Sequence, residues 1–264
     1  MIMKKYVFFD IDGTLWDFHQ VIPESTKKAI SMLRENGHAA YINTGRARSN
    51  IIEKELLDLG FEGIVAGCGT HIEKNGEVIY EKLMTDEQIA RSLKVLNDNK
   101  MPMVFEGPED HFFNVEDFES VGDPYIQLLK DRLGPIAKPT SMIGEGTRIN
   151  KFSADISEDT DFEKVMSLLP DFDFIDHNGV IVEIIPEGFS KATGIKEFME
   201  LEHIDLDDVY VVGDSMNDMD MFRLAKHSIC MGNGDDRIKA IAEYVTTDIH
   251  EDGIFNGLRH YGLI

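Results

Sequence analysis

Short apolar segments alternate with amphipathic segments toward both ends of the chain, and this alternation restricts the possible folds more than any other feature of the sequence. Apolar runs rich in strand-forming residues lie at 6–9, 39–43, 63–67, 208–214, 227–232 and 244–247. Segments with apolar residues at helical spacing lie at 23–36, 49–60, 190–201 and 217–225. Asn75 and Gly76 mark the tight turn of a predicted hairpin at 70–80. Strands that alternate with helices predict an α/β fold whose parallel sheet is covered on both faces.

The middle of the chain has its own series of predicted elements. The expected helices are 85–98, 118–133 and 158–169, and the expected strands are 102–105, 111–115, 148–154, 171–175 and 180–185. This stretch is long enough to form a separate core, and it contains none of the polar clusters described below. We therefore predict a core domain made of residues 1–81 and 187–264. An α+β domain of residues 82–186 is inserted between its two halves.

The charge of the chain limits its partners. Acidic residues outnumber basic ones by 49 to 26, which gives a formal charge of −23 over 264 residues. Such a surface repels nucleic-acid phosphates and anionic lipid, so we expect neither nucleic acid nor a membrane as a partner. The apolar run after Lys5 ends at Asp10, too short for a signal peptide, and Cys68 and Cys230 fit no metal-binding spacing. We expect a cytoplasmic protein, either a monomer or a small homo-oligomer.

Two carboxylates follow the first predicted strand directly. In the sequence YVFFDIDGT, Asp10 and Asp12 are separated by one residue, so in extended backbone both side chains project to the same side. Two carboxylates so close together favour a counter-charge. Mg²⁺ is a hard cation that binds carboxylates, water and phosphate oxygens. Gly13 permits a sharp turn through which the carbonyl group of residue 12 can reach the same ion. The alternative is a solvated acidic turn without a metal.

Two weaker signals lie further along the chain. Thr44 and Gly45 follow the strand 39–43. The hydroxyl group of Thr44 and the neighbouring backbone N–H groups could bind the oxygens of a phosphate group. A Thr-Gly pair is, however, more often a simple turn. Arg46 adds a positive charge there or lies on the surface. Lys191 begins a predicted helix, a position where the helix dipole does not favour a cation. It either reaches an acidic centre or is an ordinary solvated lysine.

The segment VVGDSMNDMDMF contains a fourth cluster. Asp214 follows a strand, and Asn217 and Asp218 come three and four residues later, so one helical turn brings all three to the same face. An N-capping role would explain Asp214 alone. It does not explain why Asp and Asn are so dense directly after a buried strand.

All four clusters either follow a predicted strand or begin a helix. Ligands of open parallel sheets bind at the carboxyl ends of the strands, where side chains far apart in sequence meet. The shared placement therefore predicts one site rather than four.

The order of the motifs DIDGT, TGR, Lys191 and GDSMND resembles that of the haloacid dehalogenase (HAD) superfamily of phosphotransferases. The large insertion between TGR and Lys191 is similar to the α/β cap of the Cof-type subfamily (type IIB). The resemblance extends over the whole chain and implies the HAD fold, a Rossmann-like parallel-sheet core with an inserted α+β cap domain. Many relatives carry an Asn-Gly pair where this chain has Cys68 and Gly69, so any hold of that asparagine on the substrate is lost here.

The resemblance also implies roles for the candidate residues. Asp10 is expected to be the nucleophile that forms an aspartyl-phosphate, and Asp12 the general acid and base. The implied ligands of Mg²⁺ are Asp10, Asp12 through its backbone carbonyl group, and Asp214. The implied phosphate ligands are Thr44, Gly45, Lys191 and Asn217. The implied supporting residues are Asp218 and Arg46.

The resulting hypothesis is a Mg²⁺-dependent phosphatase, a phosphoric monoester hydrolase acting on small phosphorylated metabolites such as sugar phosphates. Its specificity is expected in residues 82–186, with His111, Arg148 and Lys151 as conceivable contacts. A phosphomutase of the same superfamily remains an alternative. A phospho-aspartate signalling module, like a response-regulator receiver, is a third possibility. Receivers are much shorter and carry no cap.

Overall fold

The structure is a computed structural model that describes residues 3–118, 125–157, 160–177 and 179–264. The chain divides into two compact units. The first unit comprises Met1–Gly45, Glu53–Tyr80 and Ser190–Ile264, and the second comprises Arg46–Ile52 and Glu81–Phe189. The sequence predicts a core domain of residues 1–81 and 187–264 and an inserted domain of residues 82–186, and this division remains a prediction. The segment Arg46–Ile52, predicted as part of the core domain, groups with the second unit.

The strands and helices of the described residues follow in chain order. The strands are β1 Tyr6–Phe9, β2 Ala39–Asn43, β3 Gly63–Ala66, β4 His71–Lys74, β5 Glu77–Glu81, β6 Met103–Glu106, β7 His111–Phe112, β8 Ala137–Lys138, β9 Lys151–Asp155, β10 Phe172–His177, β11 Ile181–Pro186, β12 Val209–Gly213, β13 His227–Cys230 and β14 Tyr244–Val245. The helices are α1 Glu24–Glu35, α2 Lys54–Leu57, α3 Asp86–Asp98, α4 Tyr125–Leu133, α5 Phe162–Leu168, α6 Lys191–Glu202, α7 Met219–Leu224, α8 Asp236–Lys239 and α9 Gly253–His260. Among these described helices, none has both the length and the apolar character needed to cross a bilayer.

The first unit is built around a largely parallel sheet. Its strand order is β14-β13-β12-β1-β2-β3-β4-β5. The pairs from β14 to β3 are parallel, and β4 returns antiparallel to β3. Phe9 lies opposite Val212 on β12 and Ile42 on β2, so these three strands end at the same edge. The prediction of an α/β fold with a parallel-sheet core is confirmed.

Helix α6 packs closely against this sheet. The ring of Phe198 lies 5.6 Å from that of Phe8 and 4.6 Å from that of Tyr41, measured between centroids. Near the start of the helix, a Cβ added to Gly194 would lie 2.6 Å from the Cα atom of Gly69. Only glycine permits this approach of two backbones. The packing therefore fixes the N-terminus of α6 beside the loop that follows β3.

The second unit contains a mainly antiparallel sheet with the strand order β10-β11-β9-β6-β7-β8. Only the β7–β8 pair in this described sheet is parallel. Phe105, Phe152 and Ile184 lie in register on three neighbouring strands, and all three are buried in one apolar cluster. The second unit thus has a core of its own.

The predicted helix at 49–60 is much shorter in the structure. Helix α2 covers only Lys54–Leu57, and a 3-10 turn at Arg48–Asn50 precedes it. The hydroxyl group of Ser49 donates to the carbonyl oxygen of Gly107 at 2.6 Å, a contact within the second unit. Tertiary contacts of this kind hold the start of the segment out of helical geometry.

Two further predictions in the middle of the chain extend beyond the described residues, and one short strand there was not predicted. The predicted helices 118–133 and 158–169 include residues 119–124 and 158–159, which lie outside the described residues. The described parts form α4 and α5. The short strand β8 was not predicted, because it lies within a stretch punctuated by Gly and Pro.

Candidate active site

The carboxyl ends of β1 and β12 hold two buried aspartates. Asp10 follows β1, and its backbone N–H donates to the carbonyl oxygen of Val212 at 2.9 Å. Asp214 follows β12 directly, and both aspartates are buried. The pairing of two parallel strands therefore places at one edge two acids that are far apart in sequence.

Lys191 lies at the centre of this edge. Ser190 caps the N-terminus of α6, which begins at Lys191. The Nζ atom of Lys191 donates to Oδ1 of Asp10 at 2.7 Å, of Asn217 at 2.8 Å and of Asp218 at 2.6 Å. An ammonium group has three N–H donors, so these bonds use all of them. Lys191 is 1% exposed, which rules out the alternative of a solvated lysine.

Asp218 is held on both of its carboxylate oxygens. Oδ1 accepts from Lys191, and Oδ2 accepts from the backbone N–H groups of Asp214 at 2.9 Å and Ser215 at 3.0 Å. Asp218 is fully buried. It therefore connects the start of α6 to the loop that follows β12.

Asp214 is positioned by the loop that follows β1. The hydroxyl group of Thr14 donates to Oδ1 of Asp214 at 2.8 Å. Gly13 has a φ of +79°, and a Cβ atom there would lie 2.4 Å from Oδ2 of Asp214. Both features require glycine at this position. Burial, together with the negative charge of Asp218, raises the pKa of Asp214 to about 7.

The charges of this cluster do not balance. Burial raises the pKa of Asp10, and the charges of Asp218 and Asp214 add to the shift, although Lys191 opposes it. Burial by itself would lower the pKa of Lys191, but the carboxylates of Asp10 and Asp218 raise it. Three buried carboxylates in this part of the described chain thus share one buried ammonium group. When these acids are ionised, the excess negative charge favours a further cation.

A divalent metal ion fits this donor set. Carboxylate oxygens of Asp10, Asp214 and Asp218 lie within 4.8 Å of one another. Both oxygens of Asp218 already accept hydrogen bonds, so Asp10 and Asp214 are the better ligands. Carboxylate oxygens are the donors that hard divalent cations bind. The cluster is consistent with a divalent-metal site, and the identity of the ion as Mg²⁺ stays a prediction.

Asp12 lies apart from the buried acids. Its side chain is exposed, and its Oδ1 atom accepts a hydrogen bond from Nε1 of Trp16 at 2.8 Å. It does not belong to the group of three acids within 4.8 Å of one another. The predicted contact of Asp12 with a metal concerns its backbone carbonyl group, and that contact stays a prediction.

Thr44 and Gly45 follow β2 at the same edge of the sheet as Asp10. The backbone N–H of Thr44 donates to the carbonyl oxygen of Val65 at 2.9 Å, and the Thr44 side chain is buried. Arg46 groups with the second unit. The predicted roles of these residues in holding phosphate remain predictions.

Three residues that the sequence did not single out also shape this edge. They are Thr14, Asn43 and Asn233. The Nδ2 atom of Asn43 donates to the carbonyl oxygen of Lys191 at 3.2 Å, and Nδ2 of Asn233 donates to that of Gly13 at 2.8 Å. Thr14 lies in the DIDGT motif and Asn43 ends a predicted strand, so the positions of both residues in the sequence indicate that they lie near the site. No sequence pattern indicates Asn233, because its contact with Gly13 depends on the fold.

Cys68 occupies a left-handed backbone conformation, with φ 55° and ψ 40°. This conformation costs most residues about 1–2 kcal/mol, and Gly and Asn adopt it most readily. An asparagine at this position would suit this backbone. The departure at Cys68 therefore changes the side chain but keeps the path of the main chain.

The second unit has a polar sheet face with a pocket. On β9, Lys151, Ser153 and Asp155 alternate with Phe152 and Ala154, which enter the apolar core. A pocket of about 130 Å³ lies in this unit. It is lined by the polar residues Asn50, Glu106, His111, Ser153 and Asp155 and by Val104, Phe118, Tyr125, Ile126, Leu129 and Ile181.

The three conceivable cap contacts all have partners within the second unit. Lys151 forms an ion pair with Glu183. Nδ1 of His111 lies 2.9 Å from the hydroxyl oxygen of Ser49. Arg148 forms ion pairs with two glutamates. Of the three, His111 lines the pocket.

The sequence matches a known family and several curated proteins over nearly its whole length. A family model described as haloacid dehalogenase-like hydrolase matches residues 7–258. The chain is 31% identical over 261 residues to the YkrA protein of Bacillus subtilis (strain 168), with 99% of each covered. It is 25% identical over 276 residues to the 5-amino-6-(5-phospho-D-ribitylamino)uracil phosphatase YwtE of the same organism, with 95% of each covered.

Solved structures are similar to this chain over nearly its whole length. A protein from Geobacillus kaustophilus HTA426 is 30% identical, with a TM-score of 0.85, over 99% of this chain and 100% of that chain. The HAD subclass IIB sugar phosphatase BT4131 is 26% identical, with a TM-score of 0.81, over 99% of this chain and 100% of that chain.

Proposed function

The chain belongs to the haloacid dehalogenase-like hydrolase family, and we propose that it is a Mg²⁺-dependent phosphatase that hydrolyses small phosphorylated metabolites through an aspartyl-phosphate. The observation that carries this proposal is the buried cluster in which Lys191 binds Asp10, Asn217 and Asp218. Relatives named as phosphatases support hydrolysis over transfer to a second hydroxyl group, and so do not favour a phosphomutase.

The two acids of the DIDGT motif divide the chemistry. Asp10 attacks phosphorus, the bond to the leaving oxygen breaks, and a proton on Asp12 passes to that oxygen. Asp12 then takes a proton from the water molecule that attacks the aspartyl-phosphate. The products are an alcohol and inorganic phosphate, and both acids return to their starting states.

The remaining residues hold charge in place. Mg²⁺ bound by Asp10 and Asp214 would offset the negative charge of the carboxylates and the phosphoryl group. Asp218 holds the ammonium group of Lys191 beside Asp10 before substrate binds, so its positive charge is in place where the phosphoryl group arrives. Asn217 accepts from Lys191 through Oδ1, which leaves its amide N–H₂ group to donate to a phosphoryl oxygen. Thr44 and Gly45 supply further donors.

The second unit is proposed to select the leaving group. The lining of its pocket of about 130 Å³ combines carboxylate and hydroxyl groups with apolar side chains. Such a lining suits a small hydroxylated group, such as a sugar or polyol. The names of the relatives, a sugar phosphatase and a phosphatase of a phosphoribityl compound, support this substrate class.

Phosphate release tests this proposal. The substrates are p-nitrophenyl phosphate and a panel of sugar phosphates, nucleotides and phosphorylated cofactors, each with Mg²⁺ and with EDTA. We expect hydrolysis that needs the metal, and a loss of more than about 10³-fold in Asp10→Asn. Asp220→Asn, which changes an exposed acid of the GDSMND region, is the matched control and should keep activity. Activity that survives Asp10→Asn would overturn the mechanism, and dependence on a bisphosphate activator would favour a mutase.

A further inference from the structure

Trp16 is the single tryptophan of the chain, and its indole N–H donates to Oδ1 of Asp12 at 2.8 Å. We propose that Trp16 is a positioning residue for Asp12. Its buried indole group fixes the orientation of the exposed carboxyl group, and so determines which oxygen exchanges protons with the substrate and with water. This inference rests on the proposed function, because it takes Asp12 as the general acid and base.

The backbone fixes Trp16 relative to Asp12. The N–H of Leu15 donates to the carbonyl oxygen of Ile11 at 2.9 Å, and the N–H of Gly13 donates to that of Trp16 at 2.9 Å. These two bonds close a tight loop that brings residue 16 next to residue 12. Trp16 is 1% exposed, so packing holds the donor in one place.

The two acids of the motif are held by different means. Asp10 is buried, and Lys191 binds it. Asp12 is exposed, and an exposed carboxyl group samples several rotamers unless a fixed partner selects one. General acid catalysis needs the proton within hydrogen-bond reach of the leaving oxygen. A rigid indole donor meets this need without adding a charge beside the acid.

A purely structural role for the contact is the competing explanation. A buried indole N–H usually needs an acceptor, and Asp12 supplies one. If this were all, replacing Trp16 would alter folding but would slow all substrates equally. The two explanations therefore differ in how the loss depends on the leaving group.

Leaving-group dependence provides the kinetic test. Trp16→Phe removes the N–H donor but keeps an aromatic ring. Phenoxide is a more basic leaving group than p-nitrophenoxide and depends more on a proton from Asp12. We expect kcat/KM for phenyl phosphate to fall about 10–100-fold, part of the 10²–10⁴-fold effect of a general acid, and kcat/KM for p-nitrophenyl phosphate to fall less. In an Asp12→Asn background, Trp16→Phe should cause no further loss with either substrate.

A matched control is available in the same unit. The hydroxyl group of Tyr261 also donates from a ring to a carboxylate, that of Glu243, at 2.6 Å. Tyr261→Phe removes this bond and should affect both substrates equally. Equal losses for Trp16→Phe, or additive losses with Asp12→Asn, would overturn the positioning role.

A spectroscopic readout is independent of turnover. With one tryptophan, the protein gives a single indole ¹H–¹⁵N resonance, which Asp12→Asn should shift and Tyr261→Phe should not. An indole resonance unmoved by Asp12→Asn would overturn the inference while leaving the proposed function intact. Activity that survives Asp10→Asn would instead overturn the proposed function, and the inference with it.

Discussion

Lys191 Nζ and Asp218 Oδ1 lie 2.6 Å apart, and neither residue has more than 1% of its surface exposed. A buried ion pair loses hydration, and its attraction offsets this loss only when further hydrogen bonds complete the geometry. Here two backbone N–H groups bind the other oxygen of Asp218. We infer that the pair serves to hold the ammonium group next to Asp10 more than to stabilise the fold.

Lys191→Met removes the positive charge that three buried acids share. We expect phosphatase activity to fall about 10²–10³-fold, the usual cost of losing one donor that stabilises transition-state charge. In EDTA the free energy of unfolding should fall by about 3–5 kcal/mol, because buried carboxylates lose their partner. Steady-state kinetics and urea unfolding measure the two effects. Lys196→Met, on the exposed side of the same helix, should change neither, and a Lys191→Met protein with normal kcat/KM would contradict the assigned role.

Asp218→Asn keeps the shape of the side chain but replaces one of its two acceptor oxygens with an N–H₂ donor. The wild-type carboxylate accepts from Lys191 on one oxygen and from two backbone N–H groups on the other. An amide has one oxygen, so its N–H₂ group must face one set of donors. We expect the free energy of unfolding to fall by about 1.5–3 kcal/mol, together with a lower kcat/KM because Lys191 is less well held. Urea unfolding and kinetics test this, with Asp220→Asn as the exposed control, and unchanged stability would contradict the buried contact.

The edge of the sheet could be predicted from the sequence because its geometry depends on strand order alone. The apolar runs predict the strands β1, β2 and β12. In a parallel sheet, the residues that directly follow such strands lie at the same edge. Asp10, Thr44 and Asp214 were therefore placed at this edge without any knowledge of contacts. Lys191 was placed there by its position at a helix start.

Other features could not be read from the sequence because they depend on tertiary contacts. The bond from Trp16 to Asp12 requires the loop geometry of residues 11–16, and that from Asn233 to Gly13 joins distant segments. Ser49, near the start of the segment predicted as one helix, bonds to Gly107 far along the chain, in a 3-10 turn that precedes α2. Helical periodicity reports an amphipathic segment, but it does not report a competing contact of this kind.

The second unit offers a separate test of a buried charge. Lys151 pairs with Glu183 and lies 3.5 Å from Glu106. Burial would raise the pKa of Glu106, but Lys151 and His111 hold it below its usual value. Lys151→Met should lower the free energy of unfolding by about 3–5 kcal/mol, because two buried carboxylates lose their counter-charge. Urea unfolding measures this loss.

Two further variants serve as controls for Lys151→Met. Lys138→Met breaks a more exposed ion pair and should cost less than about 1 kcal/mol. Adding Glu183→Gln to Lys151→Met should restore part of the stability, because it removes one of the unpaired charges. A loss no greater for Lys151→Met than for Lys138→Met would show that the buried pair contributes little.

The proposed metal site links stability to pH through Asp214. Burial and the charge of Asp218 raise its pKa from 3.8 to about 7, and the pKa of Asp10 is raised as well. The folded protein therefore binds more protons than the unfolded chain between these values. This contribution to stability is fully present below the unfolded pKa and is lost as the pH rises through about 7.

A divalent cation competes with that proton, so its effect on stability should grow as the pH rises. We expect the Tm in EDTA to fall between about pH 5 and pH 8, and the rise in Tm on adding Mg²⁺ to be larger at about pH 8 than at about pH 6. Thermal unfolding at fixed ionic strength measures both. Asp214→Asn should remove most of the Mg²⁺ effect, whereas Asp236→Asn, at a fully exposed acid, should retain it. A Mg²⁺ effect equal at the two pH values would contradict competition at Asp214, since a cation bound elsewhere would not displace its proton.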